Sequence, residues 1–285
     1  MKKILIFGAN GMLGHAVLRV LSDDGKLKVV GTVRSEKSFN QIDNKYKNQL
    51  ISDLDVTNVT AVNSLINELK PNYVINCIGL VKQLAEAENP LLAIPINSLF
   101  PHQLADACKK INARLIHIST DCVFSGIKGS YLEEDFPDAT DLYGRSKLLG
   151  EVDYPWAITL RTSIIGHELS GSHGLIDWFM SQEGEIQGFR RAIFSGLPTV
   201  EVARVIRDYV IPNEDLAGLY HLASEPISKY DLLSLVASIY DKKIIIKPND
   251  QFIIDRSLVS DKFAKAAGYD VGDWSSLIRL MHHYH

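Results

Sequence analysis

Gly8, Gly11 and Gly14 follow the apolar run Ile4 to Phe7 and open a helix-like stretch from Met12 to Leu21. A strand that runs through a glycine-rich turn into a helix N-terminus presents unpaired backbone N–H groups and the positive end of the helix dipole to a pyrophosphate. Any Cβ there would hold the phosphate away from the backbone. The turn therefore predicts a dinucleotide site, although its Gly-x-x-Gly-x-x-Gly spacing departs from the commoner Gly-x-Gly-x-x-Gly. The second apolar run ends Gly31-Thr32-Val33-Arg34-Ser35. It offers no acid for the two ribose hydroxyls of NAD and an arginine for a 2′-phosphate, so NADPH is expected over NADH, with Glu36 as the opposing feature. Farther along, Tyr143-Gly144-Arg145-Ser146-Lys147 sets a phenol and an ammonium on one helix face, and Ser119-Thr120-Asp121-Cys122-Val123-Phe124 sets a hydroxyl at the end of an apolar run.

The elements that must position these groups read as short apolar runs alternating with longer helical patterns, the signature of βαβ units. Strands are expected at Ile4 to Phe7, Lys28 to Val33, Gln49 to Ile51, Tyr73 to Asn76, Arg114 to Ser119 and Ala157 to Arg161, with helices notably at Val59 to Leu69 and Asn97 to Lys110. Right-handed crossovers make this an α/β Rossmann-like, doubly wound parallel sheet with its ligand at the carboxyl ends of the strands. After about Ile165 the alternation loosens and glycines cluster; helical patterns resume near Thr199 to Val210, Ser228 to Tyr240 and Trp274 to Met281. Residues 1–165 thus read as an NAD(P)-binding domain and 166–285 as mainly a smaller substrate lobe, with room for a strand or helix returned to the main domain. In that lobe the adjacent Trp178 and Phe179 place at least one ring in a core.

Composition narrows the class. With 285 residues, 46% apolar and 22% charged, the chain is an ordinary globule with a large core. A formal charge of −4 gives no basic footprint for nucleic acid. No apolar run approaches the ~20 residues that cross a bilayer, and Met1-Lys2-Lys3 leads into only a short apolar run, so a cytoplasmic protein, neither spanning nor secreted, is expected. Cys77, Cys108 and Cys122 lack metal-site spacing and read as free thiols of a reducing compartment. His282, His283 and His285 read as a solvated tail, and no metal site is expected.

Together, the glycine turn, the strand-end Thr120 and the Tyr143/Lys147 pair resemble the short-chain dehydrogenase/reductase superfamily, in the extended branch that acts on nucleotide sugars. Within that branch, Ser119-Thr120-Asp121-x-Val123-Phe124 and Tyr143-Gly144-x-x-Lys147-x-x-Gly150-Glu151 are similar to the dTDP-4-dehydrorhamnose reductase family. So are Asn97-x-x-x-Pro101-x-x-Leu104-Ala105 and Arg161-Thr162-Ser163. The resemblance implies Tyr143 as proton donor, Lys147 as its activator and binder of the nicotinamide ribose, Thr120 as the hydroxyl that orients the substrate carbonyl, and Asn97 as support for the lysine. It implies a cofactor set of Gly8, Asn10, Gly11, Met12, Leu13, Gly14, Arg34, Asp55, Val56, Cys77 and Gly79 together with Tyr143 and Lys147, Asp55 approaching the adenine. An ammonium about 4 Å from a phenol would lower its pKa by roughly one to three units, toward the range of a general acid. Blander readings stand beside these: Asn97 as a cap ahead of Pro101, Asp55 as a turn residue or N-cap, Thr120 as a plain strand-end hydroxyl, and Arg161 as partner to a carboxylate.

The departures are informative. Cys122 stands where the reductases carry tyrosine, and Asn76-Cys77-Ile78-Gly79-Leu80-Val81-Lys82-Gln83 replaces their alanine-rich Tyr-Thr segment. The related 4,6-dehydratases carry Thr-Asp-Glu at the strand end; with Cys122 in third place that carboxylate is missing and dehydration is disfavoured. The expectation is an NADPH-dependent reductase of a 4-keto nucleotide sugar in surface polysaccharide synthesis, with NAD as a second cofactor to test and a homo-oligomer compatible with the chain. Two alternatives remain: an epimerase that keeps its NAD(P) bound, and a non-catalytic subunit of the type that regulates methionine adenosyltransferase.

Overall fold

The structure is a computed structural model that describes residues 1–81 and 85–285. Seven parallel strands form the central sheet: β1 (Lys2–Phe7), β2 (Leu27–Thr32), β3 (Leu50–Ile51), β4 (Tyr73–Asn76), β5 (Arg114–Thr120), β6 (Ala157–Thr162) and β7 (Gly218–His221). Their order is β7-β6-β5-β4-β1-β2-β3. The winding reverses between β1 and β4, where Phe7 lies level with both Thr32 and Asn76. A crevice opens at such a reversal beyond the carboxyl ends of the strands, and both the glycine turn after β1 and Cys77 after β4 face it.

Alternation along β1 divides the interior. Ile4 and Ile6 join one core with α1 (Met12–Asp23), while Leu5 and Phe7 join the other with α2 (Val59–Leu69) and α3 (Phe100–Lys110). Buried on both faces, these strands are continuous apolar runs, which is why pattern alone locates them. Helix α2 starts where the Asn58 side chain accepts from Ala61 N and stops at Lys70, left-handed at φ 43° ahead of Pro71.

One feature differs from the sequence reading, and a second is a returned strand whose place that reading left open. The region read as one helix from Asn97 begins at Pro90, and Ile94–Leu99 is wound as a π-helix before α3. Proline is the cause: Pro101 has no N–H to close an α-helical bond onto the carbonyl of Asn97, and Pro95 has none for Leu91. The seventh strand, β7, pairs with β6 although some 56 residues separate Thr162 from Gly218 in the chain.

Beyond β6 lie α4 (Leu142–Leu149, before β6 in sequence), α5 (Leu175–Ser181), α6 (Thr199–Val205), α7 (Lys229–Ile239) and α8 (Trp274–His283). Helix α6 packs on α1 and its apolar residues belong to the main core. Ile176, Phe179, Leu232, Val236 and Met281 build a separate core for the lobe. Phe179 is fully buried there, and Trp178 is 37% exposed. A small sheet sets Ala192–Phe194 between Ile227–Ser228 and Ile254–Asp255.

Candidate active site

Thr120 closes β5. Its Oγ1 accepts from Cys122 N and donates to Asp121 Oδ1, both at 3.1 Å, which turns the chain sharply at the strand end. Helix α4 is started by Asp141, whose Oδ1 accepts from Gly144 N at 2.8 Å. A Cβ on Gly144 would stand 2.2 Å from the carbonyl of Cys122, so only glycine lets the helix lie against that turn. This contact sets Tyr143 beside the turn that Thr120 closes, and the Thr120 hydroxyl acts on its phenol. One helical turn on, buried Lys147 donates from Nζ to the carbonyl of Ile118 at 2.8 Å.

The electrostatics reverse one expectation. Burial raises the Tyr143 phenol above its ordinary value, Cys122 adds to the rise, the Thr120 hydroxyl opposes it, and Asp121 and Asp141 add to it again. The phenol is thus not lowered toward neutrality; it stays fully protonated, a hydrogen donor, through the neutral range. The lysine is the group that moves toward neutral pH: burial lowers it to about 8, against the pull of Glu151 and Cys77.

Asn97 makes no direct hydrogen bond to Lys147 among the described residues. Its Oδ1 accepts from Leu80 N at 2.8 Å, and its Nδ2 donates to Leu80 O at 3.2 Å and Ser146 Oγ at 3.1 Å. It therefore ties the loop after β4 to α4, and a Cβ on Gly79 of that loop would lie 3.8 Å from Lys147 Nζ. Arg161 does pair a carboxylate, that of Glu151, which also accepts from Ser119 Oγ at 2.7 Å. The sequence pattern gave no sign of Ser119, Ser146 or the Ile118 carbonyl as contacts, because nothing in spacing marks a backbone acceptor.

The cofactor side can be tested for fit. A Cβ on Gly14 would meet the Gly8 carbonyl at 2.0 Å, so this glycine is required by the fold itself. Gly11 is different: it sits at φ −72°, and a Cβ there would have the Gly8 carbonyl at 3.5 Å as its nearest neighbour. Internal packing does not demand glycine at position 11, whereas a ligand lying on the turn would. No side chain caps α1, and its first turn holds no acid, which suits a phosphate above Met12 and Leu13. Asn10 is half-buried beside them. Arg34 is exposed and, among the described residues, has no carboxylate within 4 Å; the hydroxyls of Ser35 and Ser38 lie 3.1 Å apart just beyond it. Asp55 accepts from the Thr57 amide and hydroxyl, which holds its carboxyl below the usual range with a smaller contribution from Arg34. It is an exposed turn residue, the N-cap of α2 being Asn58, while Val56 is buried in the core. Cys77 is a free thiol pushed up to about 12 by burial. Lys82 and Gln83 of the segment that departs from the reductase pattern lie outside the described residues. Among the described residues no three His, Cys, Asp or Glu side chains gather as a metal site, and no helix is long and apolar enough to cross a membrane.

Residues 1–251 match the family described as RmlD substrate binding domain. A dTDP-4-dehydrorhamnose reductase of Aggregatibacter actinomycetemcomitans is 30% identical over 259 residues, covering 87% of this chain and 81% of that protein. A probable low-salt glycan biosynthesis reductase of Haloferax volcanii is 28% identical over 283 residues, covering 92% and 86%. The fold is shared with the dTDP-4-dehydrorhamnose reductase of Bacillus anthracis, solved in complex with NADP: TM-score 0.81 at 22% identity, over 100% of this chain and 99% of that one.

Proposed function

From the premise that the chain belongs to the RmlD substrate binding domain family, we propose that it is an NADPH-dependent reductase of a 4-keto nucleotide sugar, acting in surface polysaccharide synthesis. The observation that carries the reading is the packing of Gly144 against the Cys122 carbonyl, which sets the Tyr143 phenol beside the strand-end Thr120 with Lys147 one helical turn on. Relatives described as a dTDP-4-dehydrorhamnose reductase and a glycan biosynthesis reductase support the substrate class and the role.

NADPH, when bound, supplies the hydride. The turn from Gly8 to Gly14 would hold its pyrophosphate, Arg34 its 2′-phosphate, Asp55 and Val56 would line the adenine side, and Cys77, Gly79 and Lys147 would face the nicotinamide ribose. Hydride addition places negative charge on the substrate's carbonyl oxygen. Tyr143 offers a donor at that point and Thr120 a second once its hydroxyl turns from Asp121 to the substrate, and the phenol gives up its proton there. Because burial keeps the phenol protonated, it arrives loaded; because Lys147 lies near 8, it can return a proton to the phenol at neutral pH. Asn97 fixes the Leu80 backbone over the lysine and so closes this corner to rearrangement.

The direct test follows nicotinamide absorbance while dTDP- and UDP-linked 4-keto-6-deoxy sugars are added with NADPH. Stoichiometric oxidation is expected, the free keto sugar being far poorer because it forgoes remote binding energy. Tyr143→Phe should lose about 10²- to 10⁴-fold in kcat while retaining cofactor affinity and thermal midpoint. Turnover without net NADPH consumption would identify an epimerase, and no turnover with any such sugar would overturn the reading.

A further inference from the structure

The chain crosses the cofactor crevice on its way from β6 into the second lobe. In the order β7-β6-β5-β4-β1-β2-β3, β6 and β2 stand on opposite sides of the reversal between β4 and β1. Four strand spacings, roughly 19 Å, separate them. Yet Ser170, eight residues beyond Thr162 at the end of β6, accepts from Gln41 Nε2 at 2.9 Å, and Gln41 ends the short helix Glu36–Asn40 that follows β2. A Cβ on Gly174 would lie 3.6 Å from the sulfur of Met12, the first residue of α1. Residues 167–174 therefore pass beside the first turn of α1, where a pyrophosphate would rest, and join the two banks.

This crossing is stiff within and lightly held at its far end. Glu168 accepts from His173 N at 3.0 Å and from Gly174 N at 3.1 Å, one carboxylate oxygen each, which gathers the exposed tip, residues 170–173, into a closed loop. The base is tied to α5, where Asp177 accepts from Glu168 N at 2.6 Å and from His167 Nδ1 at 2.8 Å. Toward the other bank, the bond from Gln41 to Ser170 is the single hydrogen bond between residues 167–174 and residues 1–81 among the described residues. Beneath the base, a cavity of about 210 Å³ lies between Glu168 and Leu169 of the crossing and His15 and Arg19 of α1. An underpacked base and one solvent-exposed bond make a segment that opens at low cost.

We propose that residues 167–174 are a clip over the bound dinucleotide, latched by the Gln41–Ser170 bond, and that opening of the latch sets the rate of cofactor release. This deepens the function above and rests on it. A reductase exchanges spent cofactor for fresh at every turnover, so whatever spans the crevice has to yield in each cycle. One bond between two neutral, exposed side chains yields readily, whereas the Glu168 staple keeps the tip in shape to close again. Neither Gln41 nor Ser170 belongs to the Thr120, Tyr143 and Lys147 group, so the hydride step should not feel the latch.

Stopped-flow release of NADPH, followed by its fluorescence while excess NADP⁺ is mixed in, provides the test without any sugar. Gln41→Ala and Ser170→Ala should each speed release about 3- to 10-fold with thermal midpoint unchanged, and the double variant should do no more than either, because one bond is lost in all three. Gln41→Cys with Ser170→Cys, bridged by a short bis-maleimide after loading with NADPH, should keep the cofactor through a gel filtration that strips the unbridged protein. Cys77, Cys108 and Cys122 do not compete for the reagent, since burial pushes each thiol up to about 12. Wild-type release from the folded single variants overturns the clip, as do additive effects in the double variant or free exchange from the bridged protein. The two readings separate: reduction of nucleotide-linked ketones with release indifferent to Gln41 and Ser170 sinks the clip alone. Latch-dependent release without reduction of any such ketone sinks the function alone.

Discussion

Glu151 and Arg161 meet as a two-pronged ion pair, Nε to Oε1 and Nη2 to Oε2 at 2.7 Å each, with the side chains 11% and 3% exposed. Ser119 donates to the same carboxylate, so the pair binds the end of α4 to β5 and β6, the elements that carry Tyr143, Lys147 and Thr120. Glu151→Gln leaves a buried guanidinium uncompensated and should cost about 3–5 kcal/mol in urea unfolding. Glu151→Leu with Arg161→Met should recover most of that loss, because the desolvation of both charges is removed together. A single-variant loss under about 1 kcal/mol would show that water reaches the pair.

Lys147 should weaken the fold that it serves. Its pKa falls from 10.5 unfolded to about 8 folded, so between those values the unfolded chain binds more protons and stability rises with pH. Below pH 8 the buried ammonium costs about 3 kcal/mol at most, partly offset by its bond to Ile118. Lys147→Met should therefore melt higher than wild type at pH 7, lose that advantage as pH approaches 10.5, and be inactive. Equal or lower melting at pH 7 would contradict the assignment.

Gly11 and Gly14, three residues apart in sequence, should respond oppositely to alanine. Gly14→Ala collides with the Gly8 carbonyl and should fail to fold or melt far lower. Gly11→Ala fits its backbone and neighbours, so its thermal midpoint should hold while NADPH affinity falls at least tenfold, read by fluorescence titration. Unchanged cofactor affinity in Gly11→Ala would place the pyrophosphate elsewhere.

Arg34 decides between the two nicotinamide cofactors. Exposed and without a carboxylate within 4 Å among the described residues, it has no structural duty that its loss would disturb. Arg34→Ala should raise the KM for NADPH by about tenfold or more, the value of a charge-assisted contact, with little change for NADH. Equal effects on both would sink the 2′-phosphate role.

Much of the fold was legible because a doubly wound sheet hides both faces of its strands. Tyr73–Asn76 and Val59–Leu69 occur with the limits that apolar runs and caps suggest. β7 escaped because a four-residue Gly-Leu-Tyr-His strand carries no run of its own and exists only through its pairing with β6. At the site, spacing located Tyr143 and Lys147, since four residues on a helix is a geometric statement in itself. It could not find the carboxylate of Arg161, which comes from another element, or the sign of the phenol's shift, which burial and Cys122 set.

The π-wound stretch Ile94–Leu99 also bears on how this chain tolerates changes in length. A π turn holds one residue more than the α turn it replaces. Deleting Ile96 would thus shorten the turn and rotate Asn97 by roughly 100° about the axis relative to the residues before it, away from Leu80. Loss of a single codon here would be expected to spare folding while uncoupling the loop after β4 from α4, an error invisible to any assay of stability alone.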